Sequence, residues 1–384
     1  MNRENDTYNL VLNQLKGMEQ QFQEREYLLD ELNSFPFDNM NDLKSMNYTT
    51  LTLPKEFGEA GVSLSEFLRF QEQIAKGCGS TALSIGWHMG MILEFSEHRH
   101  WNKALVPLLT KAIKEGHLIN AASSERNAGS PLRGAAFSTR AERSADGKSY
   151  QVTGVKTFTS MSPMLDFFFV TASIEEKTAV LLIPRDTPGV SIKETWDSVA
   201  MRGTASHDLV LDAAEIPSDY IIEYINEESK KRRKGWMLHI PVCYLGIAGA
   251  ARDYAVRFAA SYTPSSLDHP IGKLPNVQQL IGEIEMKLIS SRQFLYRVAE
   301  EYDRLPNEDF KTEMAAVKTF VTNQAIEVVD LSMRIVGARS LSEKNPLRRY
   351  YQNVRAGLHN PPMDDITLKM LADQAIKECQ HTSI

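Results

Sequence analysis

Cysteine is scarce in this 384-residue sequence, and a net positive charge and a long apolar run are missing; each lack removes a class of function. The three cysteines, Cys78, Cys243 and Cys379, stand too far apart for a disulfide framework or a zinc site. No metal is expected, and a reduced, cytoplasmic compartment is. A net charge of -6 argues against general nucleic-acid binding, because phosphate contacts need a basic surface. The N-terminus has no basic segment followed by an apolar run, and no uninterrupted apolar stretch approaches the ~18 residues of a membrane span. Neither export nor a membrane partner is expected.

What is present is ordinary globular material, 42% hydrophobic and 24% charged, enough to bury a large core. At roughly 100 to 200 residues per domain, the length suits two or three packed units. The patterning divides it into three. Residues 1–117 read as a helical domain, with Leu10, Leu15 and Met18, then Leu64, Phe67, Leu68, Gln71 and Ile74, at helical spacing. Residues 118–225 change to short β-branched and aromatic runs, at 149–153, 167–173, 179–184 and 208–211, and predict a β domain. Residues 226–384 return to helical stripes such as Val277, Ile284, Leu288 and Leu295, and predict a four-helix bundle. The fold class is α+β. The basic run at 230–234 falls at a domain boundary and reads as a solvated linker.

Chemistry-bearing residues concentrate between 120 and 160. Ser123-Ser124-Glu125-Arg126-Asn127-Ala128-Gly129-Ser130 is followed by Gly154-Val155-Lys156-Thr157-Phe158-Thr159-Ser160. Hydroxyls beside glycine let backbone N–H groups approach a ligand while the side chains orient it, and the ring of Phe158 could cover it. Such clusters on their own are ordinary turns. In order and spacing, however, the two segments resemble the flavin-cradling motifs of the acyl-CoA dehydrogenase superfamily, usually Thr-Glu-Pro-x-Ala-Gly-Ser and Lys-x-Trp-Ile-Thr. Looser matches follow in the expected order: the turn from Pro54 to Gly61, the run from Arg202 to His207 for Gly-x-Arg-x-Ser-x-Thr, and Gly337-Ala338-Arg339-Ser340-Leu341 for Gly-Gly-x-Gly.

The resemblance covers nearly the whole chain. It implies the acyl-CoA dehydrogenase fold, a helical domain, a β domain and a helical bundle, with FAD between the last two, in a homotetramer. The small-residue patch from Gly246 to Ala251 is read as the place where helices of neighbouring subunits approach. Carried over position by position, Ser124 stands where a Thr bonds the flavin pyrimidine edge, Phe158 where a Trp flanks the ring, and Ser160, with Thr159, where a Thr lies near N5. Ser130 matches a phosphate-side serine, and Arg202 the arginine of its motif.

Departures from the pattern bear on the reaction. A dehydrogenase of this kind needs a carboxylate to remove an α-proton, since a thioester α-carbon is a weak acid. By spacing from Gln352-Asn353, which replace Arg-Asp, that position falls on Pro361. A second family position, near Trp236, is followed by Met237, Leu238 and His239. Glu94, Glu97 and Glu125 are candidate replacements. A branch resembling dibenzothiophene monooxygenase also lacks the glutamate, receives reduced flavin from a reductase, and carries histidines like His359, in His359-Asn360-Pro361, and His88. Histidine titrates near neutrality, which suits it to serve activated oxygen in a dry pocket. His88 in an apolar helix is also what a core histidine looks like. Asp268 takes the place of an arginine on the FAD diphosphate, which raises FMN, supplied reduced, as the alternative cofactor. The expected reaction is therefore oxygenation of a small organic substrate. The alternatives are acyl-CoA dehydrogenation with a displaced base and an electron-transfer flavoprotein as partner, or flavin binding without turnover.

Overall fold

The computed structural model describes residues 3–126 and 137–382. Five helices come first: α1 (Arg3–Glu26), α2 (Phe37–Ser45), α3 (Leu64–Gly77), α4 (Gly79–His98) and α5 (Val106–Lys114). A capping box fixes the start of α3. Ser63 Oγ accepts the Glu66 N–H at 3.3 Å, and the Glu66 carboxylate accepts the Ser63 N–H at 2.9 Å. Its apolar stripe, Leu64, Phe67, Leu68 and Ile74, is buried. Helix α4 is buried over most of its length, because glycine lets the bundle approach it closely. A Cβ at Gly90 would lie 2.5 Å from Trp236 Cε3, and one at Gly86 would lie 2.4 Å from His239 Cδ2.

Eight strands follow: β1 (Ile119–Ala122), β2 (Arg140–Arg143), β3 (Ser149–Thr159), β4 (Phe167–Ile174), β5 (Lys177–Pro184), β6 (Val190–Lys193), β7 (His207–Pro217) and β8 (Ile221–Tyr224). They form one sheet in the order β6-β7-β3-β2-β4-β5-β8, with β1 parallel to β4. Strand β4 is buried nearly end to end, as its run of Phe and Val implies. Strands β3 and β7 run well beyond the segments that alternation marks. The four-residue strands β1, β2, β6 and β8 are too short to show a period.

The remaining helices are α6 (Glu227–Lys231), α7 (His239–Ser261), α8 (Pro275–Arg304), α9 (Lys311–Val336), α10 (Pro346–Arg355) and α11 (Asp364–Thr382). Helix α7 is the centre of the bundle, packed on α3, α4 and α9. Here the reading of the small-residue patch needs correction. A Cβ at Gly246 would lie 2.5 Å from Ala75 Cβ, so the patch serves the contact of α7 with α3 within the chain, not one between subunits. The basic run is a solvated linker only in part: Lys230, Lys231 and Lys234 are exposed, whereas its two arginines are held. Arg232 is bidentate to Glu223, at 2.6 Å twice. Arg233 lies 3.6 Å above the Tyr302 ring and donates to the Tyr302 carbonyl at 2.7 Å. No described helix is long and apolar enough to cross a membrane.

Candidate functional site

The end of β3 is irregular in a way that exposes a ring. Lys156 pairs with Leu209 and Thr159 with His207, so two residues of β3, Thr157 and Phe158, stand opposite the single residue between them on β7. This is a bulge, and bulges re-aim side chains. Phe158 adopts φ 56, a left-handed conformation that a bulky residue rarely takes, and its ring is 65% exposed. Thr157 and Thr159 on either side are buried, and their hydroxyls have no hydrogen-bond partner among the described residues. The next residue, Ser160, shares a 2.8 Å hydrogen bond with Ser206, which shares another of 2.8 Å with Thr204. Trp196 stands edge-on to Phe158, with centroids 6.1 Å apart at 82°.

Ser124 belongs to the same place. Its carbonyl accepts the Thr157 N–H at 2.9 Å, joining the two segments that the sequence singles out. Ser130 lies outside the described residues. Beneath this surface is a buried ion pair, Lys156 Nζ to Glu125 Oε1 at 2.7 Å. Glu125 also accepts the backbone N–H and hydroxyl of both Ser138 and Thr139, five bonds in all. Burial alone would raise its pKa, but the bonds from Lys156, Ser138 and Thr139 outweigh that and hold it at about 2. As a candidate base Glu125 is therefore corrected: it is an ionised structural residue.

Arg202 sits at the seam between domains. Its Nη1 donates to the Asp30 carbonyl at 2.9 Å, so the contact it makes is with the N-terminal helices. The Asp30 carboxylate in turn accepts from Arg348 at 2.6 Å and Arg349 at 2.8 Å of α10. Asn353, also on α10, accepts the buried backbone N–H of Met201 at 2.7 Å. Three domains thus meet at the turn from Met201 to Ser206.

The two histidines have opposite surroundings. His88 is fully buried; its Nδ1 accepts the Ile119 N–H at 3.1 Å, and its Nε2 faces the Thr49 carbonyl at 3.0 Å. Both ring nitrogens are consumed by backbone, and burial lowers the pKa to about 4. The geometry is that of a structural pin joining α4 to β1, and it corrects the catalytic expectation for His88. His359 is exposed, follows α10, and its ring makes no hydrogen bond among the described residues. Its neighbour Asn360 is anchored, accepting the hydroxyl of buried Tyr244. Glu94 is bound by Trp236 Nε1 at 2.9 Å and lies 3.3 Å from Arg232. Glu97 accepts the Tyr302 hydroxyl at 2.8 Å, and burial pushes its carboxyl up to about 7.

Family models match most of the chain in the order of this architecture. "Acyl-CoA dehydrogenase, N-terminal domain" matches residues 15–111, "middle domain" 120–214 and "C-terminal domain" 238–359. The chain is 46% identical over 379 residues to YdbM of Bacillus subtilis (strain 168), classed by name with the acyl-CoA dehydrogenases, covering 97% of this chain and 98% of that protein. The chain belongs to the acyl-CoA dehydrogenase family. Two solved structures illustrate the shared fold. Butyryl-CoA dehydrogenase from Megasphaera elsdenii superposes with a TM-score of 0.86 at 17% identity, over 98% of this chain and 99% of that one. FMN-bound TdsC from Paenibacillus sp. A11-2, a dibenzothiophene monooxygenase, gives 0.86 at 21%, over 96% and 97%.

As a member of this family the protein is a flavin-dependent oxidoreductase, and the β3 end fits a flavin on physical grounds. Two buried hydroxyls without partners, Thr157 and Thr159, flank an exposed flat ring, the donor and stacking set that a planar heteroaromatic with polar edges requires. Sequence reading has Thr157, Thr204, Ser206 and Asn353 within its segments but gives them no role, and it misses Trp196. The hydroxyls of Thr204 and Ser206 were legible in the Arg202 segment. Trp196 carries no periodic or motif signal that ties it to Phe158.

Proposed function

We propose that this family member is a reduced-flavin-dependent monooxygenase acting on a small organic substrate. One observation carries the reading: the loop in which spacing from Gln352-Asn353 puts the family's carboxylate position on Pro361, anchored through Asn360 and Tyr244, presents the exposed imidazole of His359, which makes no hydrogen bond among the described residues. Ser124, Thr157, Phe158, Thr159 and Ser160 would hold the flavin, with Ser130 on its phosphate side and Arg202 as the arginine of its motif. Bound in its reduced form, a flavin would supply the two electrons that let one atom of molecular oxygen go to the substrate and the other to water. His359 holds and delivers the proton at an imidazole nitrogen. FAD is the expected cofactor, with FMN supplied by a reductase the alternative. Homotetramer assembly no longer rests on Gly246. It rests on apolar side chains left outside: Met286 and Ile289 on α8, and Leu368 and Ile376 on α11.

A second reading, acyl-CoA dehydrogenation with a displaced base, has one observation in its favour. Glu97, with its carboxyl at about 7, has the proton affinity that a general base needs. Tyr302 and the neighbouring Arg233 tie it to the α8 junction instead. The two readings separate in one experiment. Oxygen-dependent product formation with an added flavin reductase supports the monooxygenase, whereas anaerobic bleaching of bound flavin by an acyl-CoA supports the dehydrogenase.

A further inference from the structure

Trp196 lies in the segment between β6 and β7, and that segment is closed upon the first residue of β7. His207 Nδ1 accepts the backbone N–H of Thr195 and of Trp196, each at 3.1 Å. The Asp208 N–H donates to Thr195 Oγ1 at 3.1 Å, and Trp196 Nε1 donates to the Met201 carbonyl at 3.3 Å. Trp196 is therefore fixed at its backbone and at its indole N–H, with its ring edge-on to Phe158.

We propose that His207 is a positioning residue for the Phe158 surface, holding Trp196 against Phe158 through the two backbone N–H groups that its Nδ1 accepts. The proposal rests on reading Phe158 as the ring that flanks the flavin. An exposed phenylalanine in a left-handed bulge has few constraints of its own, and Trp196 is the aromatic neighbour that limits where its ring can stand. His207, by contrast, is 1% exposed and paired in register with Thr159, so the hinge is built into the same strand end as the hydroxyls.

The arrangement depends on protonation. A nitrogen that accepts two N–H groups must carry no proton, so the neutral ring bears its hydrogen on Nε2. Protonation at Nδ1 would turn a donor toward two donors and release the segment. Two carboxylates act on the ring, and one guanidinium lines the same groove. Glu194 and Asp208 favour its protonation, though Asp208 is itself paired with Arg126 at 2.8 Å. Arg185 shares with His207 and Glu194 the lining of a surface groove of about 400 Å³. Burial acts against the proton and outweighs the carboxylates, lowering the pKa from its usual value.

The test uses the full-length chain and two variants, His207→Ala and His207→Asn, each paired with a Trp196→Phe reference so that Trp196 emission is obtained by difference. Asn places an amide oxygen close to where Nδ1 stands and does not titrate. Emission is read without flavin, and flavin affinity by fluorescence quenching, from pH 8 to 5. In the wild type both should hold through the ordinary histidine range, because burial lowers the pKa of the ring, and decline together as the pH falls below that range. H207A should shift the emission at every pH and weaken flavin binding by ~10-fold, the scale of a lost pair of hydrogen bonds. H207N should restore most of both and abolish the acid step; if H207A does not fold, H207N and the wild-type pH series decide. Unchanged Trp196 emission in H207A, or an acid step that persists in H207N, overturns the proposal. So does a moved emission with unchanged flavin affinity. A wild type that binds no flavin while its emission still follows His207 overturns the flavin reading and the positioning role with it, and is told apart because the emission is read without flavin.

Discussion

Asn353 Oδ1 accepts the backbone N–H of Met201 at 2.7 Å, across 152 residues of chain. Met201 has φ 54 and begins the turn that leads into the hydroxyl chain of Thr204, Ser206 and Ser160. One amide oxygen therefore fastens the bundle to the floor of the candidate flavin site. Asn353→Ala would leave a buried N–H unpaired, which costs about 1 to 3 kcal/mol. Asn353→Asp keeps an acceptor and should cost less. Denaturant unfolding measures both, and an N353A protein as stable as wild type would show that the bond does not secure the seam.

The Glu125–Lys156 pair predicts a pH dependence of stability. Because the folded carboxyl is held at about 2 against an ordinary 4.5, its contribution is fully present above pH 4.5 and is lost as the pH falls toward 2. Glu125→Gln should flatten unfolding free energy against pH across that window. It should also lower stability at pH 7 by about 3 to 5 kcal/mol, since Lys156 would remain as an uncompensated buried charge. Urea unfolding at pH 7, 4 and 3 checks both; parallel curves for the two proteins would contradict the assignment.

Phe158 separates stability from binding. Phe158→Gly relieves a left-handed conformation that costs roughly 1 kcal/mol, partly offset by the entropy of glycine, and removes an exposed ring that adds little to the core. The melting temperature should stay level or rise slightly. Flavin affinity should fall ~10-fold, the value of an aromatic stacking contact. A variant that binds flavin as wild type does would remove Phe158 from the site.

The architecture was legible because its signals are local. Stripes such as Val277, Ile284 and Leu288 are buried as their spacing implies, and Gly337 ends α9 with a positive φ. The hydroxyls of β3 were legible as a motif. The sequence could not show that Phe158 sits in a bulge, because a bulge depends on the register with β7. Nor could it show that Glu125 is the partner of Lys156, 31 residues away. The small-residue run at Gly246 was misread for a related reason: spacing reports close helix approach but not which helix approaches, and here it is α3. His88 illustrates the limit of residue type, since two backbone groups from distant segments make it structural.

The central claim is that His359 serves oxygen transfer at a flavin, and product yield per reduced flavin in air tests it most directly, with wild type, His359→Ala and Glu97→Gln compared. H359A should bind flavin nearly as wild type does and form ~10² less oxygenated product per reduced flavin, the usual scale for a lost proton donor, while E97Q retains full yield. Wild-type yield from H359A, together with loss of acyl-CoA-dependent flavin bleaching in E97Q, would contradict the monooxygenase account and leave Glu97 as the base of a dehydrogenase.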